Sequence, residues 1–324
     1  MSKETEKRVV VVGVAGRTGE PIARSLIDSR RFLVAGVVRP ESVGKPAIKE
    51  LEGLGVSIIP LDWQNAAPRV LEALFTDVET VISACHPAAI ADQAKLVDAA
   101  KAAGVKRFVP SDWSAIAPRG ALKLEDMKHT FHDYLFESGL PYTLIALGTW
   151  YDGIFPPIPP YIAPTAERQL IADTVYHSFG TGQVKNTLIN RLNVGRLVAR
   201  VIDDEDTIGK KVLVNEDEAS LDEVWSLAEK YAPQLAPLRV RVSDEDVERT
   251  IIEGAASSTT FDLKNVKFIK GLFNEAMKSL YISGHNSEAA ARADGWIIAR
   301  ERYPDVPLQT AEEWAKEYYG GSRR

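Results

Sequence analysis

The chain has 324 residues, 45% of them apolar and 26% charged, with a formal charge of −6. This is the composition of a soluble globular protein able to bury roughly 75% of the surface its unfolded form exposes, and it leaves no basic footprint for nucleic acid. The single cysteine, Cys85, excludes an internal disulfide framework and a cysteine-based zinc cluster. The polar start MSKETEKR and the lack of 18 clean apolar residues in a row speak against a signal peptide and a membrane span, so a cytoplasmic protein is expected.

RVVVVGVAG, from Arg8, is a β-branched run closing on glycines, as a buried parallel strand does. It runs into GVAGRTG, which spaces Gly13, Gly16 and Gly19 by three and three before a helical stretch marked by Ile22 and Leu26. Glycines let such a loop turn tightly and approach a pyrophosphate, and the helix N-terminus offers N–H groups to the anion. The loop is therefore read as a dinucleotide cradle, with Ala15, Arg17 and Thr18 among its contacts.

The second strand, FLVAGVV, ends in Arg39, where an NAD site wants an acid and a 2′-phosphate wants a cation. Arg39, with Arg17 and Lys45 closing around the same phosphate, points to NADPH; Glu41 nearby keeps NADH as the alternative. The third strand, VSIIPLD, ends at Asp62, the fourth, TVISAC, reaches Ala84, and the fifth, KRFVPSD, reaches Ser111. These three strand-end residues complete the expected cofactor contacts. His86, directly after the fourth strand, is a candidate proton relay near neutral pH. A helix, LEDMKHTFHDYLFESG, and a sixth strand, YTLIALG, follow. Strands alternating with helices predict an α/β fold, a Rossmann doubly wound parallel sheet.

Beyond Gly148 the pattern changes. WYDGIFPPIPPYIAP carries prolines that forbid helix interiors and central strands, so a covering loop is expected. LNVGRLVARVIDD reads as a helix and KKVLVN as a strand. The expected organisation is an NADP-binding Rossmann domain over 1–150, to which 186–215 returns. Segments 151–185 and 216–324 form a smaller, mostly helical substrate-binding lid. Thr310 and Glu313 are spaced for a capping box on the last helix.

In LEDMKHTFHDYLFESG, Leu124, Phe131 and Leu135 recur at helical spacing, and Lys128 falls on the same stripe. An inward lysine is costly unless it is paired or faces a cleft, and a partly desolvated ammonium is a good proton donor. Spacing alone equally allows a lysine snorkelling at the stripe's edge. On the substrate side, Trp113, Trp150, Tyr151 and Phe155 follow strand ends or lie in the proline-rich cover, where aromatics suit a flat or ring-shaped molecule. His177 is a further candidate there. No metal-ligand spacing occurs.

These motifs bring a family into view. GVAGRTG, the VVR ending of the second strand, ADQAKLVDAAKAAGVKRFVPSDW and GLPYTLI together resemble the NmrA-like and isoflavone-reductase-like branch of the atypical short-chain dehydrogenase/reductases. The resemblance implies an oxidoreductase using NADPH, with a lysine eleven residues before the glycine of the G-I-P-Y-T strand start. Counting back from Gly139 gives Lys128. It also places Arg39 and Lys45 at the 2′-phosphate. Trp113-Ser114 stands where the family has F-G, and no Y-x-x-x-K occurs.

The expected function is hydride transfer from NADPH to a small cyclic or aromatic molecule, at C=O, C=N or conjugated C=C, with Lys128 assisting proton transfer. The competing reading is a non-catalytic NAD(P)-sensing regulator that acts through protein contacts. The expected partner is a small-molecule substrate, without nucleic acid or membrane; a homodimer is compatible with the chain.

Overall fold

The computed structural model describes residues 7–163, 166–169, 171–258 and 264–321. Five parallel strands come first: β1 (Lys7–Val12), β2 (Phe32–Val38), β3 (Ser57–Pro60), β4 (Thr80–Ser83) and β5 (Arg107–Val109). Helices α1 (Gly19–Asp28), α2 (Pro46–Gly53), α3 (Pro68–Leu74), α4 (Gln93–Ala102) and α5 (Lys123–Ser138) alternate with them or follow. Their order in the sheet is β3-β2-β1-β4-β5, so the chain reverses direction across the sheet between β1 and β4. β6 (Thr143–Leu147) extends the sheet through a parallel bridge between Phe108 and Tyr142.

Val9 to Val12 are all at most 2% exposed because both faces of the sheet are covered. Side chains alternate across a strand. Val9 and Val11 therefore enter the core shared with Ile22 and Leu26 of α1, while Val10 and Val12 enter the core shared with Leu96 of α4 and Leu135 of α5. Each such side chain, fully buried, contributes about 1.5–3 kcal/mol. α5 stops at Gly139, whose φ of +72° is open to glycine at little cost.

Past β6 come β7 (Thr149–Trp150) and the short helices α6 (Tyr151–Ile154) and α7 (Ala166–Gln169), then β8 (His177–Phe179) and β9 (Lys185–Ile189). Helix α8 (Val194–Asp203) packs on α1 through Val194, Leu197 and Val198. β10 (Lys210–Val214) pairs in parallel with β6. β11 (Asp217–Ser220), α9 (Leu221–Tyr231), β12 (Val240–Val242), α10 (Asp244–Ser257), α11 (Val266–Tyr281) and α12 (Glu288–Ala293) follow. The chain ends with β13 (Ile297–Ile298), α13 (Ala299–Arg302) and α14 (Ala311–Tyr319). Thr310 and Glu313 cap α14 reciprocally.

Two features differ from the sequence reading. β13 pairs with β10, and Ala299, Tyr303 and Val306 enter the same core as Val9 and Ile22. This stretch belongs to the parallel sheet rather than to the lid. The first part of the proline-rich segment is not a cover either. Tyr151 is fully buried and Phe155 is 4% exposed, both packed with Trp225, Trp314 and Tyr319. Among the described residues no helix is long and apolar enough to cross a membrane.

Candidate active site

The carboxyl ends of β1, β4 and β5 converge on one edge of the sheet. Gly13 leaves β1 with φ +83°, and a Cβ there would stand 2.5 Å from the Ala84 carbonyl oxygen at the end of β4. Only glycine allows this close crossing without strain. The Gly16 N–H donates to the Gly13 carbonyl at 3.0 Å, closing the turn, and Gly19 opens α1. The loop thus presents a helix N-terminus above the sheet edge, with Ala15 and Arg17 exposed and Thr18 half-buried beside it.

A second donor sits beside this loop. Arg191 donates from Nη1 to the Arg17 carbonyl at 3.3 Å, while its buried Nε has no partner among the described residues. An orphaned guanidinium donor next to a glycine turn fits a bound anion. Arg39 is exposed and, among the described residues, reaches only Glu41, at 3.4 Å; Lys45 is exposed at the start of α2. Both are free to turn toward a phosphate beyond β2. Arg17 is placed otherwise. Its Nη2 pairs with Asp152 at 3.3 Å, and its guanidinium lies 4.7 Å from the Trp150 ring. Burial beside these side chains pulls the Arg17 pKa below its ordinary value, with Asp152 opposing the shift. Arg17 therefore does not join Arg39 and Lys45 in this structure. Asp62 is exposed and accepts from Asn65 Nδ2 at 2.8 Å.

Residues 111–114 tie β5 to β4. Ser111 Oγ donates to the Cys85 carbonyl at 2.9 Å, and its N–H donates to Gln93 Oε1 at 2.9 Å. Trp113 Nε1 donates to the Ser83 carbonyl at 2.7 Å, laying the indole against the strand ends. Burial pushes the Cys85 thiol pKa up, so it is a structural thiol.

Lys128 is 5% exposed on the inner face of α5. Its Nζ donates to Glu125 Oε1 at 2.9 Å, to Ser114 Oγ, and to the Asp112 carbonyl at 3.5 Å. Ser114 Oγ donates in turn to Glu125 Oε1 at 2.8 Å, and Asp112 Oδ2 meets His132 Nε2 at 2.6 Å. The ion pair with Glu125, itself 7% exposed, is what makes an inward lysine tolerable here. Glu125, Ser114, Asp112 and His132 were not among the residues singled out from sequence. For Glu125 the available signal was its place three before Lys128 on one helix face.

The remaining candidates lie apart from this cluster. His86 is exposed, and its Nδ1 accepts from the Ala88 N–H at 3.2 Å, capping a short turn. Trp150 is half-buried under Arg17. Tyr151 donates from Oη to the Gln309 carbonyl at 2.7 Å, and Phe155 lies 4.9 Å from the Trp314 ring centroid. Both are core residues rather than a substrate-facing surface, because Trp314 and Tyr319 from α14 cover them. His177 starts β8, edge-on to Phe179 at 6.0 Å, where burial lowers its pKa. Among the described residues no group of three or more His, Cys, Asp or Glu is placed to hold a metal ion.

Several known proteins are similar to this chain in sequence or fold. The chain is 28% identical to asnovolin J 5′,6′-dehydrogenase of Aspergillus novofumigatus, over 97% of this chain and 95% of that one. It is 25% identical to a phenylcoumaran benzylic ether reductase of Betula pendula, over 97% and 99%. Among solved structures, the leucoanthocyanidin reductase–NADPH complex from Vitis vinifera superposes with a TM-score of 0.77 at 22% identity, covering 97% and 99%. An isoflavone reductase gives a TM-score of 0.76 at 24% identity, covering 97% and 100%. The profile of the NmrA-like family matches residues 5–291, more than half of the sequence, and the chain belongs to that family.

Proposed function

We propose that this chain is an NADPH-dependent reductase of a small cyclic or aromatic molecule, with Lys128 as proton donor. The observation that carries the reading is a buried lysine held by Glu125 and Ser114 beside the residues that tie β5 to the glycine-loop edge of the sheet. When bound, NADPH supplies hydride from its nicotinamide C4.

The chain's own residues do the rest. The Gly13–Gly19 turn and the start of α1 hold the pyrophosphate, with Arg191 Nε as an added donor. Arg39 and Lys45 take the 2′-phosphate. Lys128 holds its proton against three acceptors, of which the Asp112 carbonyl, at 3.5 Å, is the weakest. That N–H is the one free to swing onto the accepting oxygen, nitrogen or carbon of a substrate. Trp113, its indole fixed by Ser83, offers an aromatic wall at the strand ends.

Relatives support this reading: one is named for benzylic ether reduction, another was solved with NADPH, and a third is named a dehydrogenase. The same site run backward is a dehydrogenase, so the test follows both directions. NADPH oxidation is monitored with acetophenone, 3,4-dihydroisoquinoline and chalcone as a ketone, an imine and an enone, and NADP+ reduction with their reduced counterparts. Turnover of one class carries the reading. Tight NADPH binding with no turnover across a wider set of such compounds favours the sensing regulator instead.

A further inference from the structure

Each reductive turnover removes a proton from Lys128, and that proton has to come back. The Lys128 ammonium is buried, and under the reductase reading the cofactor and substrate take the sheet-edge side. Glu125 is the one titratable side chain hydrogen-bonded to Nζ among the described residues. Behind it, between α5, β6, β10 and α12, lies an open cavity of about 660 Å³, large enough to hold many waters. Its floor is apolar, with Leu144 and Ala146, while Glu125 and Asp112 enter its wall. His129 and His132 stand on the same face of α5 as Glu125, one turn and two turns further on. The other charged groups on the lining are Arg119, Lys211 and Asp294, and His285 also faces it; Arg119 is held by Asp133, and Lys211 by Asp294.

We infer that Lys128 is reprotonated through Glu125 from this rear cavity. The inference rests on the reductase reading above. Lys128 gives one proton to the substrate and becomes a neutral amine. A solvent proton, passed along the cavity's water, adds to the Glu125 carboxylate. The carboxyl O–H then breaks and an N–H forms on Nζ, directly across 2.9 Å or through Ser114 Oγ, which bridges the same two groups. One proton moves from solvent to Lys128 per cycle, and no electrons move. Glu125 thus acts through Lys128 and touches no substrate. The route keeps proton return separate from the side where NADPH and product exchange.

The test uses the full chain and whichever of acetophenone, 3,4-dihydroisoquinoline and chalcone the wild type reduces fastest. Stopped-flow absorbance separates the first turnover from the steady state. Ala290, half-buried on the cavity wall, is replaced by Phe to narrow the cavity from α12, which carries no residue of the Lys128 cluster. The expected result for Ala290→Phe is a first turnover within threefold of wild type, then a steady rate at least tenfold lower, seen as a burst of one NADPH per chain. Glu125→Gln lowers the steady rate at least tenfold, with the loss growing as pH rises, and Glu125→Asp recovers most of it. A steady rate for Ala290→Phe equal to wild type overturns the route, as does an equal loss in its first and later turnovers. If Glu125→Gln fails to fold, the Ala290→Phe burst decides alone. A wild type that oxidises no NADPH with any probe removes the reductase reading itself, and the route with it.

Discussion

Lys128 Nζ and Glu125 Oε1 meet at 2.9 Å on one face of α5, each side chain less than a tenth exposed. Neither charge is stable there alone. Removing one partner of a buried pair costs about 3–5 kcal/mol, because the other is left unpaired. Lys128→Ala is therefore expected to lower both stability and turnover, while NADPH affinity stays within about tenfold, or 1.4 kcal/mol. The double variant Lys128→Met, Glu125→Gln separates the effects. It recovers most of the stability, measured by urea melts, yet shows no turnover. Full turnover in the double variant excludes Lys128 from the chemistry.

Much of this arrangement is legible in the chain, and what is not has identifiable physical causes. Lys128 stands out because an apolar stripe at helical spacing exposes any charge that breaks it. Glu125 does not, since a carboxylate in the first turn of a helix reads as an ordinary complement to the helix dipole. Asp152, the partner of Arg17, lies 135 residues away, and no local pattern links them. The β1 and β2 strands, continuous and β-branched, announce a sheet covered on both faces. The two-residue β13 is too short to carry any period. Tyr151 and Phe155 resemble a lid because prolines follow them, but α14, at the far end of the chain, turns them into core.

Arg39 is 70% exposed along its side chain and pairs with Glu41 at 3.4 Å. A surface pair of this kind contributes about 0–1 kcal/mol to stability. Arg39→Ala should leave the urea midpoint nearly unchanged. It should weaken NADPH binding about ten- to a hundredfold, as loss of a charge-assisted hydrogen bond does, and NADH binding less than twofold. Isothermal titration with both cofactors decides it; equal losses remove Arg39 from the 2′-phosphate site.

Arg17 is held away from the glycine loop's outer side by Asp152 and the Trp150 ring. If the loop is to use this guanidinium on a phosphate, Asp152 competes for it. Asp152→Asn is expected to tighten NADPH binding by about three- to fivefold, the scale of a half-exposed ion pair. In the Arg17→Ala background the same substitution should have no effect, so the double-mutant cycle isolates the competition. Unchanged affinity in the single variant shows that Arg17 stays on the Trp150 ring when NADPH binds.

Acid should act on the fold through two histidines. Burial lowers the pKa of His177 in β8 and of His285, whose ring meets Ser279 Oγ at 3.0 Å. A histidine whose folded pKa lies below its unfolded one binds protons more readily when unfolded. Its contribution to stability is fully present above the ordinary value near 6.5 and is lost as pH falls through the folded value. The melting temperature should therefore drop between pH 7.5 and pH 5.5, by roughly 2 °C for each kcal/mol lost in a chain of this size. The variant His177→Asn, His285→Asn keeps polar side chains at both positions but cannot titrate there. Its melting temperature should change less over the same interval. Parallel curves for wild type and variant would assign the acid sensitivity to other groups.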